Sequence, residues 1–270
     1  MYFSIFMRQS FYLYSKVFSV LIPVLLLVAL VAQAQPSDYS MAQAHSHNDY
    51  EQARPFHAAY ELGFGSVEAD IFLKNGELYV AHNWEDIQSD RTFRALYLNP
   101  LLEKIRANNG WPYPGKRPIQ ILIDLKNTGQ ATLKVLEQQL HPHRKQLRHV
   151  RFVISGDMPA PDKLPEQYKL FTFDGRKNLT YSPKASARVV LVSSSLMDFG
   201  GFWDGQEPMK PTMKEKVRQF VATQHVANKL VRLWATPNTE LSYQTLKELG
   251  VDYLGTDDLP GLATFLQPTK

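Results

Sequence analysis

Between Ser66 and Asn83 the chain reads SVEADIFLKNGELYVAHN, which sets two carboxylates and an imidazole into an alternating apolar and polar pattern. The pattern is that of two strands of a β-hairpin, with Asn75-Gly76 as the turn. Glu68 and Asp70 stand two apart, so on a strand they share a face. A third acid, Asp124, closes the apolar run in IQILIDLKNTG, and Lys126 follows two residues later. A continuous apolar run is typical of a strand buried on both faces. Three carboxylates offer hard oxygen ligands, which suit Mg²⁺ or Ca²⁺ rather than zinc. Packing them into apolar strands without a cation costs on the order of several kcal/mol. For Glu68 and Asp70 the alternative is the solvent side of an amphipathic strand. For Asp124 and Lys126 a surface salt bridge explains one residue, whereas a metal with a phosphate beside it explains both.

His47 and His82 can serve as general acid and base, because imidazole changes charge near neutral pH. His47 and Asn48 follow the first strand, and His82 follows the hairpin. His45 shares the direction of His47 only if the first strand runs that far. His57, His141, His143, His149 and His225 are read as structural. The chain has no cysteine, which excludes thiol catalysis, thiolate zinc sites and iron–sulfur clusters.

These residues need a scaffold that brings several strand ends together. Strand patterns run over Met41 to His45, Ser66 to Phe72, Leu78 to His82, Ile119 to Leu125, Val150 to Ser155, Lys169 to Phe173, Arg188 to Val192, Leu230 to Ala235 and Tyr253 to Gly255. Helical patterns lie between them: FHAAYELGF, RALYLNPLLEKIRANNG, GQATLKVLEQQL, KPTMKEKVRQFVATQHV and TELSYQTLKELG. Strands that alternate with helices predict a parallel sheet. The count is close to eight units and predicts an α/β fold, a single (β/α)8 TIM barrel with an extra hairpin strand after strand 2, in preference to an open sheet. In such a barrel the active site forms at the C-terminal ends of the strands, where the residues above fall. Asn178 to Ser186 and the stretch MDFGGFWDGQEPMKPT read as long loops.

Arg8 and Lys16 precede the apolar stretch VFSVLIPVLLLVALVA, which ends in Ala32-Gln33-Ala34. This is the layout of a signal peptide over residues 1–34, with residues 35–270 as the mature domain. The alternative is an uncleaved membrane anchor. Cleavage predicts an exported protein, periplasmic or extracellular, with no membrane span left. The formal charge is +4, of which Arg8 and Lys16 leave with the leader. The basic residues are scattered, so no nucleic-acid partner is expected. Only the tract HPHRKQLRHVR stands out, and it reads as a helix end leading into a strand, with a solvated face.

Taken together, HSHNDY, SVEADIFLKNGELYVAHN, ILIDLKNTG, LVRLWATPN and GVDYLGTDDL resemble the glycerophosphodiester phosphodiesterase-like barrels of the phosphatidylinositol-phospholipase-C-like superfamily. Within it the chain is most similar to the altered-inheritance-of-mitochondria branch, with some similarity to the spider-venom phospholipase D type. The resemblance runs from His45 to Asp258. It implies one divalent cation, Mg²⁺ or Ca²⁺, held by Glu68, Asp70 and Asp124, and a histidine pair flanking a phosphodiester, which maps onto His47 and His82. It further implies Asn48 and Lys126 as substrate contacts, Lys126 holding a phosphate oxygen, and Trp234 as a wall of the pocket. The sequence departs from the glycerophosphodiesterase pattern: HSHNDY stands for the usual HRG, His82-Asn83 for HD, and Asp124 for a third ligand that is often Glu. These departures bear on glycerophosphodiester specificity more than on phosphodiester chemistry. The implied function is an exported, metal-dependent phosphoric diester hydrolase acting on a small-molecule or lipid phosphodiester. A glycoside hydrolase on the same barrel and a non-catalytic barrel that binds a phosphorylated ligand are the alternatives.

Overall fold

The computed structural model describes residues 39–163 and 168–267. The leader expected over residues 1–34 lies outside them. The described residues belong to one compact unit, Pro36–Lys270.

Nine strands form one sheet: β1 Ala44–Ser46, β2 Ser66–Lys74, β3 Glu77–Val80, β4 Ile119–Leu125, β5 Val150–Gly156, β6 Phe171–Arg176, β7 Val189–Ser195, β8 Leu230–Trp234 and β9 Leu254–Thr256. Eight of them run parallel in the order β8-β7-β6-β5-β4-β2-β1-β9, and β3 pairs antiparallel with β2. β8 and β9 meet through the single bridge Arg232↔Tyr253, which brings the ends of the sheet together as a nearly closed barrel. The extra hairpin strand is therefore present. Its turn places Asn75 at φ 51 and Gly76 at φ 80, the pair of left-handed residues that a two-residue hairpin requires.

The helices are α1 His57–Leu62, α2 Asn99–Ala107, α3 Gly129–Leu140, α4 Pro183–Ser186, α5 Pro211–Val226, α6 Glu240–Glu248 and α7 Leu259–Leu266. Alternation sorts each central strand into two cores. Residues such as Ile121, Ile123, Phe152 and Ile154 face outward into the main core beneath the helices, with Leu133 and Leu136 of α3. Leu122, Val153 and Leu191 make a separate apolar layer, with Leu230 and Tyr253 against it. That layer fills the barrel interior, as side-chain layers do in this fold.

Several elements differ from their sequence expectation for identifiable reasons. Met41–Gln43 is a 3₁₀ turn rather than strand, because Ser40 and Gln43 close a capping box on each other's backbone. β6 and β7 extend past their apolar runs into Asp174-Gly175-Arg176 and Ser193-Ser194-Ser195, polar residues that face the cavity rather than a core. α7 was not anticipated, since Pro260 and Gly261 mask its start, where Asp258 caps the Gly261 N–H. Among the described residues no helix is long and apolar enough to cross a membrane.

Candidate active site

The C-terminal ends of the parallel strands open into a cavity of about 530 Å³, and all eight residues singled out above line it: His47, Asn48, Glu68, Asp70, His82, Asp124, Lys126 and Trp234. The local reasons are simple. Glu68 and Asp70 sit on one face of β2, in register with Leu122 and Asp124 of β4. The hairpin returns the chain so that the Ala81 N–H donates to the Asp70 carbonyl at 3.3 Å, which sets His82 beside that carboxylate. The Lys126 N–H continues the ladder beyond β4 by donating to the Ile71 carbonyl. The solvent-facing alternative for Glu68 and Asp70 does not hold, since they are 7 % and 3 % exposed.

Each histidine of the pair is oriented through Nδ1. His47 Nδ1 lies 2.9 Å from Asp257 Oδ1, and its Nε2 lies 3.8 Å from Glu68 Oε2. Burial works against charge on this ring, but the Asp257 hydrogen bond and the Glu68 carboxylate outweigh it and hold the imidazole above its ordinary pKa. His82 Nδ1 lies 2.9 Å from the Tyr50 hydroxyl, which also reaches Asp70 Oδ2 at 2.8 Å and Asn48 Oδ1 at 2.9 Å. His45 shares the direction of His47, with Nε2 3.6 Å from the same Glu68 oxygen. It lies deeper, fully buried, with Nδ1 on Ser66 Oγ. Burial first, then the Arg232 charge, push its pKa down to about 4, so it is a neutral core group and not part of the cavity wall.

The carboxylates are bound by two cationic side chains. Arg232, 4 % exposed on β8, donates from Nη2 to both oxygens of Glu68 at 3.1 and 3.0 Å. Glu68 is buried, yet Arg232 holds it well below the usual carboxylate range. The Lys126 ammonium bridges Asp70 and Asp124 at 3.1 and 3.3 Å. Even so, burial, followed by the Glu68 and Asp124 charges, pushes Asp70 up to about 7. Asp124 is likewise raised, chiefly by burial.

Glu68, Asp70 and Asp124 are all oxygen donors of the kind Mg²⁺ or Ca²⁺ takes. Among the described residues no three such groups stand close enough, as placed, to hold an ion, and Lys126 already bridges Asp70 and Asp124.

Four contributors were not drawn from the sequence. Arg232 interrupts the apolar run LVRLW just as Asp124 interrupts its own strand, so the same signal marked it. Asp257 follows β9 in GTDDL, at a strand's C-terminal end. Tyr50 is an aromatic with no sequence mark separating it from core tyrosines. Arg176, at the end of β6, lines the cavity beside the buried Asp174, whose Oδ1 accepts from the Ser193 N–H at 2.8 Å. Trp234 is 45 % exposed and stands at the rim, not in the core.

Known proteins resemble the chain in sequence and in fold. Residues 35–153 match the AIM6-like phosphodiesterase domain. The Altered inheritance of mitochondria protein 6 homolog of Arthroderma benhamiae is 27% identical over 258 residues, covering 80% of this chain and 81% of that protein. The Altered inheritance of mitochondria protein 6 of Eremothecium gossypii is 25% identical over 272 residues, covering 83% and 69%. A crystal structure of a glycerophosphodiester phosphodiesterase from Parabacteroides distasonis superposes with a TM-score of 0.53 at 15% identity, covering 82% of this chain and 94% of that one, which bears on the fold. The barrel with its antiparallel hairpin strand thus shares its fold with that structure, and over residues 35–153 the chain is similar in sequence to the AIM6-like phosphodiesterase domain.

Proposed function

We propose that the protein is a metal-assisted phosphoric diester hydrolase with His47 as general acid and His82 as general base. The observation that carries this reading is the pair of imidazoles on one cavity, each fixed through Nδ1 by a different partner. Asp257 accepts from His47 Nδ1–H and favours the imidazolium, so a proton is held at Nε2 for the leaving oxygen. The Tyr50 hydroxyl carries one proton. When that proton goes to Asp70, His82 Nδ1–H donates to the Tyr50 oxygen and leaves Nε2 with a lone pair. That lone pair suits proton removal from an attacking water. As the water oxygen bonds to phosphorus, the bond to the ester oxygen breaks, and His47 supplies the proton that the departing alkoxide needs. Lys126 and Arg176 attract the phosphate oxygens. A divalent cation taken up by Asp70 and Asp124, with Glu68 already held by Arg232, would supply further neutralisation of phosphate charge when bound. A glycosidase finds less support, because Arg232 and Lys126 engage Glu68, Asp70 and Asp124 and Lys177 engages Asp198, which leaves Asp174 without a second free carboxyl to flank a sugar.

The mouth supports an amphiphilic substrate of the glycerophosphodiester or phospholipid type. Of the large hydrophobics that stand exposed, Trp234 lines the cavity, and Leu179 and Met197 are chain neighbours of the lining residues Asn178 and Asp198. The leader pattern in residues 1–34 supports action outside the cytoplasm.

Hydrolysis of bis-p-nitrophenyl phosphate, glycerophosphodiesters and phospholipids should be abolished by EDTA and restored by Mg²⁺ or Ca²⁺. It should also be abolished by His82→Ala in a folded protein. Turnover that survives that substitution sinks the assignment. The Lys126 bridge favours one second reading, a barrel that neutralises its carboxylates without metal and only binds a phosphorylated ligand. Its signature is saturable phosphodiester binding in EDTA with no cleavage under any metal.

A further inference from the structure

The barrel has a second cavity, of about 580 Å³, at its opposite mouth. Its wall is made where strands begin: Ile119 and Gln120 open β4, Val150 and Arg151 open β5, Gly65 precedes β2 and Tyr253 precedes β9. The interior layer of Leu122, Val153 and Leu191 separates it from the candidate active site. The two cavities open at opposite ends of the strands, and their nearest lining residues on β5, Phe152 and Ser155, are three positions or roughly 10 Å apart.

The chemistry of this cavity is cationic. Arg117, Arg148 and Arg151 line it, and no acid does. Among the described residues no carboxylate pairs with any of the three, although other arginines find one, as Arg54, Arg218 and Arg232 do. Arg117 uses Nη1 on the Gly63 carbonyl and lies over the Tyr113 ring, and Arg148 uses Nη1 on the Lys145 carbonyl. Gly110 lacks the Cβ that would come within 3.1 Å of Arg148 Nη2. Trp111 and His149, stacked at 3.4 Å, form a flat wall.

A second observation points to a ligand. Gln120, 2 % exposed, donates from Nε2 to Ser66 Oγ, but its Oε1 is buried without a partner. A buried acceptor left unpaired costs about 1–3 kcal/mol, and Gln120 belongs to the wall of this cavity. Three guanidiniums without a carboxylate partner match phosphate oxygens, and an orphaned acceptor asks for a hydroxyl. The tract HPHRKQLRHVR, read from sequence as a solvated face, is what delivers Arg148, His149 and Arg151 here. We propose that the N-terminal mouth binds a phosphomonoester of a small alcohol, with Arg117, Arg148 and Arg151 on the phosphate and Gln120 Oε1 accepting from a hydroxyl. This does not depend on the chemistry assigned to the other mouth.

The test is calorimetric titration of the full chain with glycerol 3-phosphate and with inorganic phosphate at constant ionic strength. Sedimentation with phosphatidic acid vesicles, against phosphatidylcholine vesicles, runs in parallel. Arg148→Ala/Arg151→Ala should weaken binding at least about tenfold, while Lys126→Ala, at the other mouth, retains it. Loss from the soluble arm assigns a free phosphomonoester, and loss from the vesicle arm a lipid headgroup. Binding that is unchanged in the double variant, binding lost only in Lys126→Ala, or no saturable binding in either arm overturns the proposal. Should the double variant melt early, Arg148→Ala alone carries the test, since that exposed side chain hydrogen-bonds only the Lys145 carbonyl.

Discussion

Glu68, Asp70 and Asp124 share one cavity with His47 and His82, and what separates their roles is the partner each has been given. Arg232 keeps Glu68 ionised in a buried place, whereas burial first, then the Glu68 and Asp124 charges, push Asp70 toward the neutral form against Lys126 and the Tyr50 hydroxyl. The two histidines differ in the same way. Asp257, itself lowered despite its partial burial by the hydrogen bond to His47, stabilises the imidazolium at His47, while a neutral phenol faces His82. Asp257→Asn is therefore expected to reduce kcat roughly 10²-fold, in the range for loss of an acid–base group. The sign of the pH effect follows. Removing the carboxylate removes what holds the His47 pKa up, so the acidic form is lost at lower pH and the alkaline limb of the kcat profile moves down. A pH–rate series on both proteins checks it, and an unmoved alkaline limb would remove His47 from the role of acid.

At the level of elements, the strand ends do the positioning, and β5 shows how tightly. Gly156 ends that strand at φ +71, and a Cβ there would lie 2.3 Å from the Leu125 carbonyl oxygen and 2.5 Å from Asp124 Oδ1. Its own carbonyl accepts from Arg176 Nη2 at 2.7 Å. Only glycine lets β4 and β5 approach closely enough to hold Asp124 in line with Asp70. Gly156→Ala should cost more than the roughly 1–2 kcal/mol of left-handed backbone strain, because Asp124 must also shift, and turnover should fall with it. Gly76→Ala is the control: its φ is +80, but nothing lies within 4 Å of the added Cβ. Denaturant melts and hydrolysis rates on the two variants separate strain from displacement. Equal activity in both would mean that Asp124 tolerates the shift.

As a whole molecule, the barrel presents two unlike ends: a polar cavity edged by the exposed Trp234, and a cationic cavity with an aromatic wall, divided by a buried apolar layer. Phe202 and Met197, exposed in the segment that follows β7, make a prediction that belongs to the surface and not to any catalytic group. Phe202 is 80 % exposed and Met197 48 % exposed, and fully burying such a side chain stabilises an association by about 1.5–3 kcal/mol. Phe202→Ser with Met197→Ser should lower the rate on phospholipid vesicles about tenfold or more and leave the rate on a short-chain, monomeric diester in place. A parallel loss on both substrates would argue against these two side chains docking on lipid.

The sequence by itself determined the scaffold and most of the upper cavity. Strand and helix periods, the Asn75-Gly76 turn and the rule that strand ends carry the site were enough to bring His47, Glu68, Asp70, His82, Asp124 and Lys126 together. Glu68, Asp70 and Asp124 are charged groups within apolar strand runs, and His47, His82 and Lys126 stand just past strand ends, so local pattern marks them. What the tertiary structure decided is which group faces which. Arg232 and Glu68 are 164 residues apart, and His47 and Asp257 are 210 apart, so no local pattern links them, although Arg232 carried the same mark as Asp124. Tyr50 gains its role only because the hairpin returns His82 to it. The basic tract looks solvated along the chain, and only closure of the barrel gathers Arg148 and Arg151 with Arg117 and the unpaired Gln120. Charge and periodicity are local properties that a sequence displays, whereas burial and pairing arise when distant segments share one interior.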